Sequence, residues 1–450
     1  MKQINLILFI CLILVACDHK LDVNPTQEID ETTALKTAQD VKVTLIGAYD
    51  GISSENVFGG GFQFIPELLG DDREVIFGGT FTELSEVWRK TITTGNIIVW
   101  RSWQESYTAI NRANNVLSAI DKLDESDKNK VEGEARFIRA IVYFGLVNLF
   151  AKTWGDGDNN INPGVPLVLT PTKVVTQNDF RPRASVAAVY TQIIEDLKIA
   201  EQKLPEQQAV ENSGFALSTA ATAFLSKVYL IQGNYTAALE SSNAVIASGK
   251  HSLSTNFEAL FVDESVGQIN ESIFKIIVTQ QDGLNAMNTY YAPADFQGRG
   301  DIRIQNKHLE LYETDDPRGT FFSEASMRHF TNKFNEAIGD VVVIRLAEMY
   351  FIRAECNFRL GLTTGASPLE DLNLIRDRAG AKPLLDTDIN LDRILFDRKL
   401  ELAFEGNLLQ DLKRTQRKIG DLPYNDPSLI LPIPQREMDT NKALTQNDGY

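Results

Sequence analysis

Along most of the chain, apolar residues recur every three or four positions, the period of a helix with one buried face, so the pattern predicts a mainly α protein. The spacing of Leu35, Val41, Leu45, Ala48 and Ile52 predicts a helix from Thr33 to about Ile52. Further helices are expected over Gln104–Leu123 and Val131–Phe150; the second is apolar on more than one side and belongs inside a bundle. Ser185 reads as the N-cap of a helix running to about Leu204, with Pro205 behind it. Ser218 to Gly249 reads as a helical hairpin, and Val341–Leu360 with Pro368–Ala379 as another. Asn390–Phe404 closes the helical series, with Gly406 available as its left-handed C-terminal residue. The last 30 residues, with four prolines from Pro423 to Pro434, are expected to hold no helix.

Two stretches break this rhythm. Residues 56–102 carry Gly59, Gly60, Gly61, Gly70, Gly78 and Gly79 and read as irregular. Residues 250–340 show one short strand-like run, Ile273–Thr279, among loop signals. A third, shorter excursion covers Asp156–Arg183. Irregular segments this long inside a helical body call for a functional reason.

Inside the helical part, Leu225, Ser226, Tyr229, Gly233, Tyr235 and Ala238 have the spacing of a tetratricopeptide unit. Leu225 and Tyr229 lie one turn apart, Gly233 permits the turn, and Ala238 allows close helix packing. Such a hairpin cannot bury its apolar side alone, so several should stack. Pairs within 104–150, 185–249 and 341–379 supply candidates, the last with Leu346, Tyr350 and Ala354 on one face.

The N-terminus reads as an address. After Met1-Lys2, Ile4–Ala16 is a mostly apolar run too short for a membrane span, and Leu14-Val15-Ala16-Cys17 resembles a bacterial lipobox. Residues 1–16 are expected to be a signal segment, Cys17 the lipidated residue, and 17–32 a polar tether before a single body over 33–450. Removal of Cys11 and lipidation of Cys17 would leave Cys356 as the one free thiol. The net charge of -17, from 61 acidic and 44 basic residues, excludes a nucleic-acid partner and makes attachment a matter of lipid rather than headgroup attraction.

Catalytic chemistry is sparse. His19, His251, His308 and His329 are scattered, and none lies near Cys356, which reads as a buried small residue. Asp156, Asp158 and Asn160 copy the opening of an EF-hand loop, but Ile161 and Leu167 stand where its Gly and Glu belong, so no metal site is expected. Glu401 and Glu405 share a helix face as an acid/base pair could, yet Arg398, Lys399, Lys413 and Arg414 beside them favour a charge network. Glu348 and Glu355 beside Arg345 and Arg353 read the same way. Gly59-Gly60-Gly61 lacks the Lys-Ser/Thr of a phosphate loop.

Aromatic residues are more informative. All four Trp fall between residues 88 and 154. Trp103 precedes Tyr107 and Ile110 at helical spacing and belongs to the core. Trp88 and Trp100 flank an expected loop, Thr91–Ile98, where a flat ring either stacks on a sugar or plugs the core. Tyr290-Tyr291-Ala292-Pro293 forms a second aromatic segment with the same two readings.

Several short motifs in a fixed order make the chain resemble the SusD/RagB family of Bacteroidetes outer-membrane nutrient-binding lipoproteins. They include Gly133-Glu-Ala-Arg-Phe-Ile-Arg-Ala140, Val165-Pro166-Leu167, Asn270-Glu271-Ser272-Ile273-Phe274, Asp316-Pro317-Arg318, Ile344-Arg-Leu-Ala-Glu348, Asp411-Leu-Lys-Arg414, Leu431-Pro-Ile-Pro434 and the Gln446–Tyr450 end. The resemblance implies about four tetratricopeptide-like hairpins, with long loops (56–102 and 280–340) and a small subdomain forming a ligand face. It implies a cell-surface lipoprotein without cofactor, paired with a SusC-like TonB-dependent transporter. The expected activity is non-catalytic binding of oligo- or polysaccharide, by stacking on Trp88, Trp100 and Tyr291 and hydroxyl contacts from Asp71, Asp72, Arg73 and Arg299. The alternatives are peptide binding, as in the RagB branch, a helical glycosidase using Glu401 and Glu405, and an adaptor for a protein partner.

Overall fold

A computed structural model describes residues 35–207, 214–262 and 271–450 of the protein. The first half runs α1 (Ala38–Ser53), α2 (Gly61–Gly70), β1 (Val75–Phe77), α3 (Thr82–Arg89), α4 (Ile97–Leu117), α5 (Glu125–Phe150), α6 (Val186–Lys203), α7 (Ser218–Ile231) and α8 (Tyr235–Ala247). Then come α9 (Ala259–Val262), β2 (Ser272–Ile276), α10 (Ala286–Tyr291), β3 (Ile302–Ile304), α11 (Asn306–Leu309), β4 (Phe322–Ala325), β5 (Arg328–Thr331) and β6 (Val341–Arg345). The chain ends with α12 (Leu346–Leu360), α13 (Pro368–Ala379), α14 (Leu391–Glu401), α15 (Leu408–Arg414) and α16 (Gln435–Thr440).

The body is a stack of helices, as the periodicity predicts. α1 packs on α4, and the stack continues through α5, α6, α7, α8, α12 and α13, each against the next. Val41, Leu45, Ala48 and Ile52 are the buried face of α1, and a Thr37–Asp40 capping box starts it. Ser185 accepts from Ala188 N at the start of α6. α7 and α8 are the tetratricopeptide-like hairpin; Gly233 takes φ +71 in its turn, which a Cβ would strain. Arg139 of α5 clasps Asp196 of α6 through two bonds of 2.8 Å and Asn114 of α4 through a third, tying three helices inside the core.

The irregular stretches turn out to be partly ordered. Within 56–102 lie α2, β1 and α3. α2 is buried on every side, so it shows no stripe, and Pro66 inside it further disguises the pattern. α4 begins at Ile97 rather than Gln104, because the Asn96 side chain accepts from Ile98 N and Val99 N and caps it there; it ends at Leu117. Val341–Arg345 is strand rather than the first turn of a helix, in keeping with its run of β-branched residues. α14 stops at Glu401, so Gly406, at φ +83, belongs to the turn after it and not to its cap. The C-terminal segment does contain a short helix, α16.

Two small sheets complete the fold. β2 and β6 pair antiparallel. The other sheet has the order β1-β3-β5-β4. Its register sets Val75 opposite Ile304 and Phe77 opposite Ile302, with Ile76 and Arg303 on the outer face. This sheet joins the 56–102 region to the 280–340 region and so forms the small subdomain.

The C-terminal helices are held by buried ion pairs, many of them with partners distant in sequence. Arg345 reaches Glu271 (2.8 Å), Glu401 (2.8 Å) and Glu405 (2.7 Å). Arg318 and Arg378 also bind Glu401, and Lys333 binds Glu405 at 2.6 Å. Arg398 takes Glu348 and Asp411, Arg414 takes Glu355, and Arg353 takes Asp371. Lys413 donates to the Leu429 carbonyl, and Lys399 pairs with Glu74.

Candidate functional site

The seven residues singled out from the sequence fall in several places. Asp71 is buried at the end of α2, where its carboxylate accepts from the N–H groups of Glu74 (2.8 Å), Val75 (3.0 Å) and Arg73 (3.1 Å). It thereby shapes the turn into β1. Burial pushes this carboxyl up, and those donors, with the Trp88 indole, pull against it. Trp88, at the end of α3, gives its Nε1–H to Asp71 at 3.2 Å and is half-buried. Asp72 pairs with Lys307 at 2.8 Å. Arg73 is exposed, 3.7 Å from Asp421.

Trp100 lies in the first turn of α4, not in a loop, and the Arg436 guanidinium stands 4.4 Å over its ring. Tyr291 is fully buried between Phe334 and Phe404, so its ring has no free face for a ligand; its hydroxyl makes no hydrogen bond. Arg299 is the member of the set that meets an exposed aromatic ring. Its guanidinium lies 4.5 Å over Phe81, and it donates to Asp301 (2.9 Å) and Thr80 (3.3 Å).

Around Arg299 a coherent face emerges. Phe81, just before α3, is 39% exposed, and Tyr290 packs edge-on against it at 6.2 Å. Burial, helped by Glu55 and Asp301 and opposed by Arg299 and Arg101, pushes the Tyr290 hydroxyl up to about 12, so all four charges act on it. The same helix, α10, runs from Tyr290 back to Ala286, which lines an adjoining cleft of about 520 Å³. Glu55, Asn56, Arg101, Gln104, Glu105 and Arg112 furnish most of that cleft's polar wall. Glu105 is held by Ser54 and Asn56. The face therefore joins an open ring to a row of hydrogen-bonding side chains, the composition suited to a polyhydroxylated ligand.

Sequence reasoning missed Phe81, a single aromatic in a polar run; both members of the Tyr290-Tyr291 pair are buried, and Tyr290 is the one whose ring edge meets Phe81. Consecutive helical residues point about 100° apart, and nothing local says which of the two meets the neighbouring ring.

A larger cleft of about 1000 Å³ lies along α14 and includes Asp71, Glu74, His308, Phe396 and Lys399. Its charges are largely used across its own walls: Glu74 with His308 (2.8 Å) and Lys399, and Glu313 with Arg376 (2.7 Å) and Arg393 (2.9 Å). It reads as a seam between ion-paired elements.

The residues weighed for catalysis are structural. Glu401 is fully buried; burial alone would raise it, but Arg378, Arg345 and Arg318 hold it well below the usual carboxylate range. A permanently ionised carboxylate cannot act as the acid of a glycosidase pair. Glu405 is likewise held low, against its burial, by Arg345 and Lys333. Burial pushes the Cys356 thiol up to about 12, which removes its nucleophilic form at neutral pH. In the Asp156–Asn160 loop, Asp158 accepts from Asn160 N and Asp156 accepts from Asn425. Among the described residues no group of three or more His, Cys, Asp or Glu is placed to hold a metal ion.

This architecture matches a known family. A family model described as "Starch-binding associating with outer membrane" matches residues 21–230, and the SusD family model matches residues 327–427. SusD-like protein P2 of Formosa agariphila is 24% identical over 100% of both chains. A solved structure from Bacteroides vulgatus superposes with a TM-score of 0.82 at 26% identity, over 93% of this chain and 100% of that one. A laminarin binding SusD-like protein superposes with a TM-score of 0.77 at 24% identity, over 92% and 100%. The chain belongs to the SusD/RagB family.

Proposed function

We propose that this protein is a non-catalytic glycan-binding lipoprotein that captures oligo- or polysaccharide at the Phe81–Tyr290–Arg299 face. The observation that carries the reading is the exposed Phe81 ring beneath a guanidinium that is itself exposed and tethered only at its edges, to Asp301 and Thr80. A pyranose has one apolar face. It takes the place of the guanidinium on the ring, and Arg299 turns its N–H groups to the sugar hydroxyls. The polar cleft next to it receives the continuing chain.

The family membership and the laminarin binding of one structural neighbour support a saccharide as the ligand class. Delivery would be to a SusC-like TonB-dependent transporter in the outer membrane, with Cys17, which lies outside the described residues, carrying the lipid. No helix among the described residues is long and apolar enough to cross a membrane.

Native electrophoresis through gels containing laminarin, starch or other glycans tests the binding. Retardation by at least one of them is expected; unchanged mobility in all, with binding of peptides instead, would overturn the assignment. Transfer of labelled palmitate to the wild type and not to Cys17→Ser tests the anchor.

A further inference from the structure

Resting on the reading of the Phe81 face as a glycan site, we infer that the site selects uncharged polysaccharide and rejects sulfated or uronate-rich chains. The ground is how charge is distributed around the ring and the cleft beside it. α10 makes the two continuous: Ala286 at its start lines the cleft, and Tyr290, one turn on, meets Phe81.

Three arginines of the ring and cleft each have their own carboxylate, while Arg303, beyond Arg299, donates to the Gly78 and Gly300 carbonyls and shares the field of Asp301. Arg299 pairs with Asp301 at 2.9 Å, Arg112 with Asp50 at 3.1 Å and Arg101 with Glu55 at 3.9 Å. Two further carboxylates line the cleft with no described cation within ion-pair distance. Glu105 accepts from Ser54 and from Asn56 at 3.1 and 3.2 Å. Asp282 accepts from the Thr279 N–H at 2.7 Å and its hydroxyl at 2.6 Å. The cleft thus carries an excess of negative charge, and no arginine in it is without a carboxylate.

For a neutral glycan this is favourable. The amides of Asn56 and Gln104 donate and accept, and the uncompensated carboxylates accept sugar O–H bonds, which are strengthened by the charge. An anionic glycan meets the reverse. Its sulfate or carboxylate can gain a guanidinium of the ring or cleft only by displacing a protein carboxylate, while Glu105 and Asp282 stand within a screening length of it. The overall charge of -17 extends the repulsion over the rest of the surface.

The test uses one glucan that binds the wild type and its sulfated derivative, so that backbone and linkage stay constant. Titration calorimetry is run at about 10 mM and about 1 M salt. At low salt the sulfated chain is expected to bind at least about tenfold more weakly, and the gap should narrow at high salt. The double variant Glu105→Gln, Asp282→Asn should close most of the low-salt gap, with its melting temperature as a folding control. Equal or tighter binding of the sulfated chain overturns the inference and leaves the glycan reading intact. Absence of binding to neutral and sulfated chains alike overturns both.

Discussion

Glu67 offers a sharp test of how the fold is held. It sits in the last turn of α2, 5% exposed, and its Oε1 accepts from the backbone N–H groups of Gly406 (2.8 Å) and Leu408 (3.3 Å), fastening α2 to the turn before α15. Burial pushes its carboxyl from 4.5 up to about 7, against the pull of those two N–H groups and Lys333, with Glu405 adding to the rise. A carboxyl whose folded pKa exceeds its unfolded one binds more protons in the native state between those two values. Its contribution to stability is therefore complete below pH 4.5 and is lost as pH rises toward 7 and beyond. At about 1.4 kcal/mol per pKa unit, the ionised form costs the native state about 3 kcal/mol at pH 8.

Glu67→Gln keeps a carbonyl oxygen for both N–H groups and removes the charge. The variant should match the wild type near pH 4.5 and exceed it by about 2–3 kcal/mol at pH 8, read by urea unfolding across that range. Glu134, which burial also pushes up to about 7, titrates in both proteins, so the difference isolates Glu67. A variant that is less stable at pH 8, or a difference that does not change with pH, would refute this account of the α2–α15 junction.

Three further outcomes follow from named contacts. Arg345→Met removes one buried cation from Glu271, Glu401 and Glu405, leaving Arg318, Arg378 and Lys333 to face all three, and should cost about 3–5 kcal/mol in denaturant unfolding. Gly406→Ala places a Cβ 2.7 Å from the Gln63 Cα at φ +83; a loss of about 1–3 kcal/mol is expected, and a neutral result would contradict the geometry of that turn. Tyr291→Phe removes a buried hydroxyl without a partner, so stability should hold or rise by up to about 1 kcal/mol, and glycan affinity should not move.

What could be read from the sequence follows physical lines. α13 runs Pro368–Ala379 as expected, because Ser367 caps it, Pro368 occupies its first turn and Gly380 ends it in the left-handed region. The α7–α8 hairpin was legible for the same kind of reason. α2 was not, since burial on all sides leaves no period to detect. Strands of three residues such as β1 and β3 exist through pairing with each other, which no local pattern announces. The charged residues announce a network, but several of its pairs, such as Arg318–Glu401, Arg345–Glu401 and Arg398–Glu348, join residues 83, 56 and 50 apart and cannot be assigned from neighbours in sequence. In the proposed site, Arg299 is exposed and stands over the Phe81 ring, and Phe81 itself carries no signal in the sequence. Trp88 and Asp71 do meet, as partners in a turn.

The central claim is that Phe81 and Arg299 form the contact surface for a sugar. Titration calorimetry of the wild type, Phe81→Ala and Arg299→Ala with laminarin, or with whichever glycan retards the wild type in gels, tests it directly. The account predicts binding by the wild type, and a loss of about 1–3 kcal/mol, roughly 5- to 150-fold in Kd, in Phe81→Ala with an unchanged melting temperature. Wild-type affinity in Phe81→Ala and in Arg299→Ala would contradict it.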